Sequence, residues 1–229
     1  MSPRFLRLFP AALIAVVLLL SGCVGSFGPP PVHVACVGDS ITFGSGLPDR
    51  AHMAYPAVLG GLLGPHYQVV NFGVSGATLL KNGNKPYWKQ PALRQAADFQ
   101  PQIVVIKLGT NDSKPANWAH RDEFAADAAA LDDYFAQLPS KPSIWFCLPL
   151  PAFSEAYTIQ EKNLVEIRAI LRRVAAEKGA HIIDPTPAFA GHPELFRDGI
   201  HPTQAGAELL AKIVAAALRP DAPQTGGTQ

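Results

Sequence analysis

The sequence predicts an α/β protein in which helices cover both faces of a parallel sheet. Short apolar runs alternate with segments of helical periodicity along most of the 229 residues, and this alternation is typical of parallel sheets. The runs are continuously apolar, as expected of strands that are buried on both faces. Crossovers between parallel strands are right-handed in nearly all proteins, which leaves few possible topologies.

Five apolar runs are the predicted strands, and the segments between them carry the helices. The first strand starts at about Val34 and breaks at Gly38. The later strands are predicted at 67–70, 103–108, 144–148 and 181–183. Helices are indicated by apolar residues at helical spacing or by terminal Gly and Pro signals. They are predicted at 55–63, 90–99, 123–138, 158–178 and 203–218.

The composition describes one globular domain with an additional apolar segment. The chain is 48% hydrophobic and 16% charged, and its formal net charge is +1. A balance so close to neutral gives no electrostatic attraction to nucleic acid or to an anionic membrane surface. The length suits a single α/β domain with a sizeable core. We expect this domain to span residues 32–219.

The N-terminus explains the additional apolarity. Arg4 and Arg7 precede an apolar run over residues 8–20, which is short for a membrane span and typical of an export signal. Leu-Ser-Gly-Cys at 20–23 resembles a bacterial lipobox, which implies cleavage before Cys23 and lipid attachment to its sulfur. An ordinary secretory signal is the alternative. We expect a signal peptide over residues 1–22, and a lipid anchor in the outer membrane that faces the periplasm or the cell surface.

Two short segments and two cysteines complete this description of the chain. Residues 23–31 are rich in Gly and Pro and are expected to form a linker. Residues 220–229 have no apolar period and are expected to be a disordered tail. Cys36 and Cys147 lie in predicted strands and are expected to be buried. Because the sequence has no Cys-x-x-Cys pair and no zinc-like Cys/His spacing, we expect no metal site.

Four short polar clusters follow predicted strands or lie in the last loop. They are Gly38-Asp39-Ser40, Asn71-Phe72-Gly73, Gly109-Thr110-Asn111-Asp112 and Asp198-Gly199-Ile200-His201. Open α/β sheets bind their ligands at the carboxyl ends of the strands, so these clusters are candidates for one site. Each cluster alone also has an ordinary explanation, because Gly, Asp, Asn and Ser are common in turns.

In this order and spacing the clusters resemble the SGNH hydrolases, also called the GDSL esterase family, and resemble bacterial carbohydrate O-acetylesterases among them. The resemblance covers nearly all of the chain after about residue 32. It implies a three-layer α/β/α fold with a five-stranded parallel sheet of flavodoxin-like order. In that order Cys36 and Cys147 lie on non-adjacent strands, too far apart for a disulfide. The resemblance also implies a carboxylic ester hydrolase that forms an acyl-enzyme. Because its reaction needs only water as second substrate, we expect no cofactor.

Such an enzyme needs a nucleophile, a base, a group that orients the base, and donors for the oxyanion. Ser40 is the candidate nucleophile, His201 is the base, and Asp198 is the orienting carboxylate three residues before the base. For the oxyanion hole the resemblance implies the backbone N–H groups of Ser40 and Gly73 and the side-chain amide of Asn111. A glycine allows close approach of the backbone, and an amide binds negative charge without adding a base.

Three nearby residues are given ordinary roles. Asp39 and Asp112 are expected to fix their loops by hydrogen bonds. Ser75 is the rival nucleophile, but Ala77 stands where a Gly-x-Ser-x-Gly elbow requires its last glycine. An α/β-hydrolase active site is therefore disfavoured.

Two loops suggest the class of ester. Segments 78–88 and 113–118 combine lysine, asparagine and aromatic residues, and flat aromatic rings with polar donors suit sugar rings. Lys81, Trp88 and Trp118 are therefore candidate substrate-binding residues. The alternative is that their aromatic side chains only pack the loops onto the domain. The working hypothesis is hydrolysis of a small acyl ester, acetyl above all, on an acetylated glycan.

Two other functions stay open. A lysophospholipase or acyl-thioesterase would act on longer acyl chains and would need an apolar groove. A non-catalytic lipoprotein that only binds surface glycan would have no need of an intact Ser40, Asp198 and His201. The sequence specifies neither the sugar nor the oligomeric state.

Overall fold

The computed structural model describes residues 29–219, which contain one sheet of parallel strands between layers of helices. The strands are β1 (Val32–Gly38), β2 (Tyr67–Gly73), β3 (Ile103–Lys107), β4 (Ser143–Cys147) and β5 (His181–Ile183). They lie in the order β2-β1-β3-β4-β5, and every neighbouring pair is parallel. The predicted α/β class and flavodoxin-like strand order are confirmed.

Helices connect the strands and cover both faces of the sheet. In the described residues the α-helices are α1 (Ser40–Phe43), α2 (Arg50–Met53), α3 (Tyr55–Leu63), α4 (Pro91–Asp98), α5 (Pro115–Trp118), α6 (Arg121–Ala136), α7 (Glu161–Lys178), α8 (Thr186–Phe189) and α9 (Gln204–Leu218). Short 3-10 helices lie at Tyr87–Lys89, Asn111–Ser113, Ala156–Thr158 and Pro193–Leu195. The five long helices begin and end within three residues of their predicted bounds. The short helices were not predicted, because a single turn carries no measurable period.

The sheet divides the interior into two apolar layers, because successive side chains of a strand point to opposite faces. Val37 of β1 and Leu171 of α7 belong to the layer that α6 and α7 cover. Cys36 of β1 and Leu210 of α9 belong to the layer that α3 and α9 cover. The two layers hold the strands rigidly, so the carboxyl ends of β1, β2 and β3 have fixed relative positions.

Strand β2 is longer than predicted and includes the second polar cluster. It pairs with β1 residue for residue as far as Gly38 and Gly73. A Cβ on Gly73 would overlap the backbone of Thr42 and Phe43. The absence of a side chain at Gly73 therefore lets the end of β2 pack against α1.

The buried cysteines lie on either side of β3. Cys36 is in β1 and Cys147 in β4, and neither forms a disulfide. Burial raises the pKa of each thiol to about 12, so both are protonated at neutral pH. Their predicted role as small buried side chains is confirmed.

The terminal predictions fall largely outside the described residues. The signal peptide, the lipidated Cys23, most of the linker and the tail after Arg219 stay predictions for that reason. Within residues 29–219, none of the helices is both long and apolar enough to cross a bilayer.

Candidate active site

Ser40 lies at the carboxyl end of β1, where the chain turns into a single helical turn. Asp39 caps this turn, because its Oδ1 accepts a hydrogen bond from Ile41 N at 2.9 Å. The turn ends at Gly44, whose φ of +87° closes it in the left-handed conformation that glycine adopts readily. Ser40 is the first residue of α1 and is 6% exposed. Its hydroxyl is thus fixed at the carboxyl edge of the sheet.

The last loop before α9 brings a histidine and a carboxylate to this hydroxyl. His201 Nε2 lies 2.9 Å from Ser40 Oγ, and His201 Nδ1 lies 2.8 Å from Asp198 Oδ2. The other carboxylate oxygen, Oδ1, accepts from Ile200 N at 3.0 Å and from His201 N at 2.7 Å. The loop thereby fixes the carboxylate of Asp198 and the imidazole of His201 relative to each other. The structure brings together the three side chains that the sequence predicts.

The ionisation of Asp198 determines how the proton is placed on His201. Burial acts to raise the pKa of Asp198, but hydrogen bonds from the backbone and side chain of His201 and from Ile200 N outweigh it. The net pKa of Asp198 lies well below its usual range. An ionised carboxylate can only accept hydrogen bonds, so Nδ1 of the neutral imidazole carries the proton. Nε2 is then free to accept the hydrogen of Ser40.

Asn111 follows β3 at the carboxyl edge of the sheet and contacts the loop after β2. It is 6% exposed, and its Nδ2 donates to Ala77 O at 3.1 Å. The amide has a second hydrogen that this contact does not use. Asn117 Nδ2 donates to the backbone oxygen of Asn111 at 2.7 Å, which fixes the turn. The predicted donor is therefore buried and oriented.

Gly73 does not have the free N–H that the sequence led us to expect. Its N–H donates to Asn71 Oδ1 at 2.9 Å, and Asn71 Nδ2 donates to Thr42 O at 2.7 Å. These bonds tie the end of β2 to α1. In this structure Gly73 therefore serves packing and strand pairing, and its N–H is already satisfied.

Gly76, three residues later, has the features expected of Gly73. Its φ is +81°, and within the described residues its N–H donates no hydrogen bond. It lies between Ser75, whose Oγ is 3.2 Å from Ser45 Oγ, and Ala77, which accepts from Asn111. Gly76 is thus placed between the loop of Ser40 and the loop of Asn111. The signal in the sequence is a further glycine, Gly76, shortly after the cluster Asn71-Phe72-Gly73.

Asp112 anchors the loop after β2 to the loop after β3, as expected of a loop-fixing carboxylate. Its two oxygens accept from Leu79 N at 3.0 Å and from Leu80 N at 2.8 Å. Burial raises the pKa of Asp112 to about 7, and the two backbone hydrogen bonds offset the effect only in part. The side chain is fully buried and stabilises the loop that carries Asn111.

The candidate substrate-binding residues are engaged in packing. Lys81 Nζ lies 3.4 Å from Asp127 Oδ1 of α6 and 4.4 Å from the centre of the Trp88 ring. Trp88 donates through Nε1 to the backbone oxygen of Leu79 at 3.1 Å. Trp118 is only 6% exposed and belongs to the core. These contacts favour the alternative in which the aromatic residues pack their loops onto the domain.

A different loop presents aromatic side chains next to the histidine. Residues 149–160, which we call the aromatic loop, lead from β4 to α7. Tyr157 Oη donates to Asp198 Oδ2 at 3.2 Å, and its ring centre lies 5.3 Å from that of His201. Phe153 packs on Phe196 with ring centres 5.2 Å apart. Sequence reasoning missed this loop; two aromatic residues without a helical or strand period were the available signal.

The site is built without an evident metal centre. Within residues 29–219, no three His, Cys, Asp or Glu side chains are grouped so that they could bind a metal ion. The groups that meet at the carboxyl edge are a hydroxyl, an imidazole, a carboxylate and neutral hydrogen-bond donors. This set suits nucleophilic attack on a carbonyl group.

Comparison with known sequences places the chain in a family. It matches the GDSL-like Lipase/Acylhydrolase family over residues 36–209. An acetylxylan esterase from Xylanibacter ruminicola is 42% identical over 207 residues, which cover 82% of this chain and 43% of the relative. The chain thus spans less than half the length of that relative.

Solved structures agree on the fold. A carbohydrate acetylesterase from Sinorhizobium meliloti has a TM-score of 0.66 at 19% identity, and the native aryl esterase of M. smegmatis has 0.64 at 20% identity. Each alignment covers 80% of this chain and 96% of the other. At identities this low, the comparison shows only that the folds are similar. The family match over most of its length shows that the chain belongs to the GDSL-like Lipase/Acylhydrolase family, as predicted.

Proposed function

We propose that this protein is a serine esterase that removes small acyl groups, acetyl above all, from carbohydrate. The observation that carries the proposal is the continuous hydrogen-bonded chain from Ser40 through His201 to Asp198. A hydroxyl is a weak nucleophile until an adjacent base removes its proton. Here the base is within hydrogen-bonding distance, and a carboxylate holds its tautomer. A module that only binds glycan has no need of this arrangement.

The geometry supports a two-step reaction. His201 Nε2 takes the proton as Ser40 Oγ bonds to the ester carbonyl carbon, and the carbonyl oxygen becomes negative. The backbone N–H groups of Ser40 and Gly76 and the free amide hydrogen of Asn111 stabilise this oxygen. The protonated imidazole then gives its proton to the leaving alcohol, and the acyl group stays on Ser40. Water, deprotonated by His201, attacks the acyl-enzyme and releases the acid.

The recess beside the nucleophile is too small to hold an acyl chain. Its lining includes Ser40, Ile41, Leu47 and Leu210, and its volume is about 10 Å³. A volume of about 10–15 Å³ is needed to hold one water molecule. An extended fatty acyl chain would therefore have to bind at another surface. The recess is therefore not the apolar groove that the lysophospholipase or thioesterase alternative needs.

The proposal that the substrate is a carbohydrate rests on similarity to a relative. The acetylxylan esterase that is 42% identical to this chain acts, by its name, on an acetylated polysaccharide. That protein is more than twice as long as the matched region, so the assignment to this chain is a proposal. Acetylated xylo-oligosaccharides are the first substrates to test.

The decisive experiment compares substrates and two serine variants. Acetate release from acetylated xylo-oligosaccharides is expected for the wild type, with rates on p-nitrophenyl esters falling from acetate to decanoate. Ser40→Ala should lose about 10⁶-fold in kcat and all labelling by a fluorophosphonate. Ser75→Ala is the matched control, because Ser75 lies in the neighbouring turn, and it should retain labelling. A rate maximum at decanoate would reject the small-acyl proposal, and labelling of Ser40→Ala would reject the nucleophile.

We further infer that the enzyme is exported and held at the outer membrane by lipid on Cys23. Arg4, Arg7, the apolar run over residues 8–20 and the small residues before Cys23 support this inference. Several acyl chains on one residue give stable anchoring where one chain does not. Incorporation of labelled palmitate by the wild type but not by Cys23→Ala is expected. An unlabelled wild type in the periplasm would support the secretory alternative.

A further inference from the structure

Exposed apolar side chains are unevenly distributed over the described residues. The large hydrophobic residues that are exposed are Phe153 at 37%, Tyr157 at 57% and Val165 at 58%. Single exposed apolar side chains are ordinary. Two of these three, however, lie in the aromatic loop beside the candidate base.

The backbone holds Tyr157 in an unfavourable conformation. Tyr157 has φ of +58° and ψ of +20°, and Thr158 has φ of +60°. Left-handed backbone is costly for residues with a side chain, and above all for β-branched ones. Such conformations persist where the surrounding structure enforces them, and they cluster at functional sites. The surrounding structure therefore fixes the position of the Tyr157 ring.

Contacts with the last loop fix the ring against the acid and the base. Tyr157 Oη donates to Asp198 Oδ2 at 3.2 Å, and the ring meets that of His201 at 80°. Ser154 Oγ donates to the backbone oxygen of Asp198 at 2.7 Å, and Phe153 N donates to Gly199 O at 2.9 Å. The aromatic loop is thus attached at three points to the loop that carries His201.

The direction of proton transfer determines which part of the substrate meets this ring. The imidazole that takes the proton from Ser40 must deliver it to the oxygen of the leaving alcohol. The alcohol portion of the ester therefore lies on the His201 side of the nucleophile. Tyr157 is the exposed ring on that side, whereas Asn111 and Gly76 lie on the side of the oxyanion.

We propose that Tyr157, with Phe153 on the same loop, binds the sugar ring whose hydroxyl carries the acyl group. The inference rests on the proposed function and names the subsite for its leaving group. A pyranose ring has an apolar face of C–H groups that stacks on an aromatic ring, and hydroxyls on its rim. Glu155 and Gln160 lie on the same loop, beside a cavity of about 310 Å³ that Phe153 also lines, and supply polar groups for that rim.

The test separates the ring of Tyr157 from its hydroxyl. The measured quantity is the ratio of kcat/KM on an acetylated xylo-oligosaccharide to kcat/KM on ethyl acetate, which has no ring to stack. Tyr157→Ala should lower this ratio about tenfold, and Phe153→Ala should lower it by a smaller factor. Tyr157→Phe keeps the ring and should leave the ratio within twofold. Val165→Ala, which removes an equally exposed apolar side chain on α7, should leave it unchanged.

A binding measurement keeps this inference distinct from the proposed function. Calorimetry with Ser40→Ala and an unacetylated xylo-oligosaccharide should detect binding that Ser40→Ala/Tyr157→Ala weakens about tenfold. Absence of acetate release by the wild type would reject the proposed function, and this titration would still decide on the subsite. An unchanged ratio in Tyr157→Ala, or equal binding by the single and double variants, would overturn the subsite. Thermal unfolding of Tyr157→Ala shows whether a loss of binding comes from loss of the fold.

Discussion

The two walls of the candidate site are built in opposite ways. On the oxyanion side, Asn111, Asp112 and Asn117 are buried, and each forms a hydrogen bond with the backbone of its own or a neighbouring loop. On the leaving-group side, Phe153 and Tyr157 face solvent from a loop with left-handed backbone. One wall is rigid and closed, and the other is open.

The difference follows from what each wall has to do. A donor stabilises a developing charge best when it is already oriented and needs no reorganisation during the reaction. Burial and hydrogen bonds provide that orientation around Asn111. A wall that receives a large alcohol has to leave room for it, so its side chains stay accessible. Substitutions that alter one wall at a time test this difference.

The largest effect is expected on the rigid wall. Asn111→Ala removes the side-chain donor, and loss of one oxyanion donor typically costs about 2.7–4 kcal/mol, or about 10²–10³ in kcat. Steady-state kinetics on p-nitrophenyl acetate measures this change. Asn82→Ala is the matched control, because Asn82 is exposed and bonded to Glu123; its kcat should be that of the wild type. An unchanged kcat in Asn111→Ala would remove Asn111 from the reaction.

An intermediate effect on stability is expected from Asp112→Asn. The amide has one acceptor oxygen for two backbone N–H groups, and an unsatisfied buried group costs about 1–3 kcal/mol. Because burial raises the pKa of Asp112 to about 7, the wild-type residue contributes most to stability below about pH 4. This contribution is lost as the pH rises through about 7. The destabilisation should therefore be larger at pH 5 than at pH 8.

Urea unfolding at both pH values measures this difference. Asp122→Asn is the control, since the Asp122 side chain is fully exposed, and its unfolding midpoint should not move. Equal destabilisation at pH 5 and pH 8 would contradict the raised pKa of Asp112.

The smallest effect is expected on the open wall. Tyr157→Phe removes the hydroxyl that donates to Asp198 Oδ2 and keeps the ring. Without this hydrogen bond, the carboxylate of Asp198 attracts the protonated imidazole of His201 more strongly. The effect is small because Arg197 stays 3.5 Å from the same oxygen. We expect kcat on p-nitrophenyl acetate, measured by steady-state kinetics, to change less than about threefold. Tyr134→Phe, on α6, is the control and should leave kcat unchanged.

The sequence predicted the sheet and the place of the candidate site for one physical reason. Parallel strands buried on both faces are continuous apolar runs, and their carboxyl ends meet at one edge. The polar clusters after β1 and β3 therefore had to be neighbours. Ser40 and His201, 161 positions apart, were paired through the resemblance of the four clusters to a known family.

The loops could not be predicted in the same way, because their conformations depend on distant partners. Lys81 and Trp88 look available in the sequence, but Asp127 and Tyr134 of α6 hold them. The free N–H of Gly76 depends on which turn follows β2. The exposure of Tyr157 depends on two residues in left-handed conformation, which composition does not indicate.

The loop from Asp198 to His201 supplies its own internal hydrogen bonds, and this has a consequence for how the enzyme can change. The acid and base form a unit whose geometry is set by its own hydrogen bonds, so a single long-range alignment, that of this loop with Ser40 at the end of the first strand, brings nucleophile, base and acid together. Segments inserted in surface loops away from the first strand and the last loop leave this alignment intact, because surface loops tolerate insertions. New substrate-recognition elements can therefore be added to the scaffold without rebuilding its chemistry.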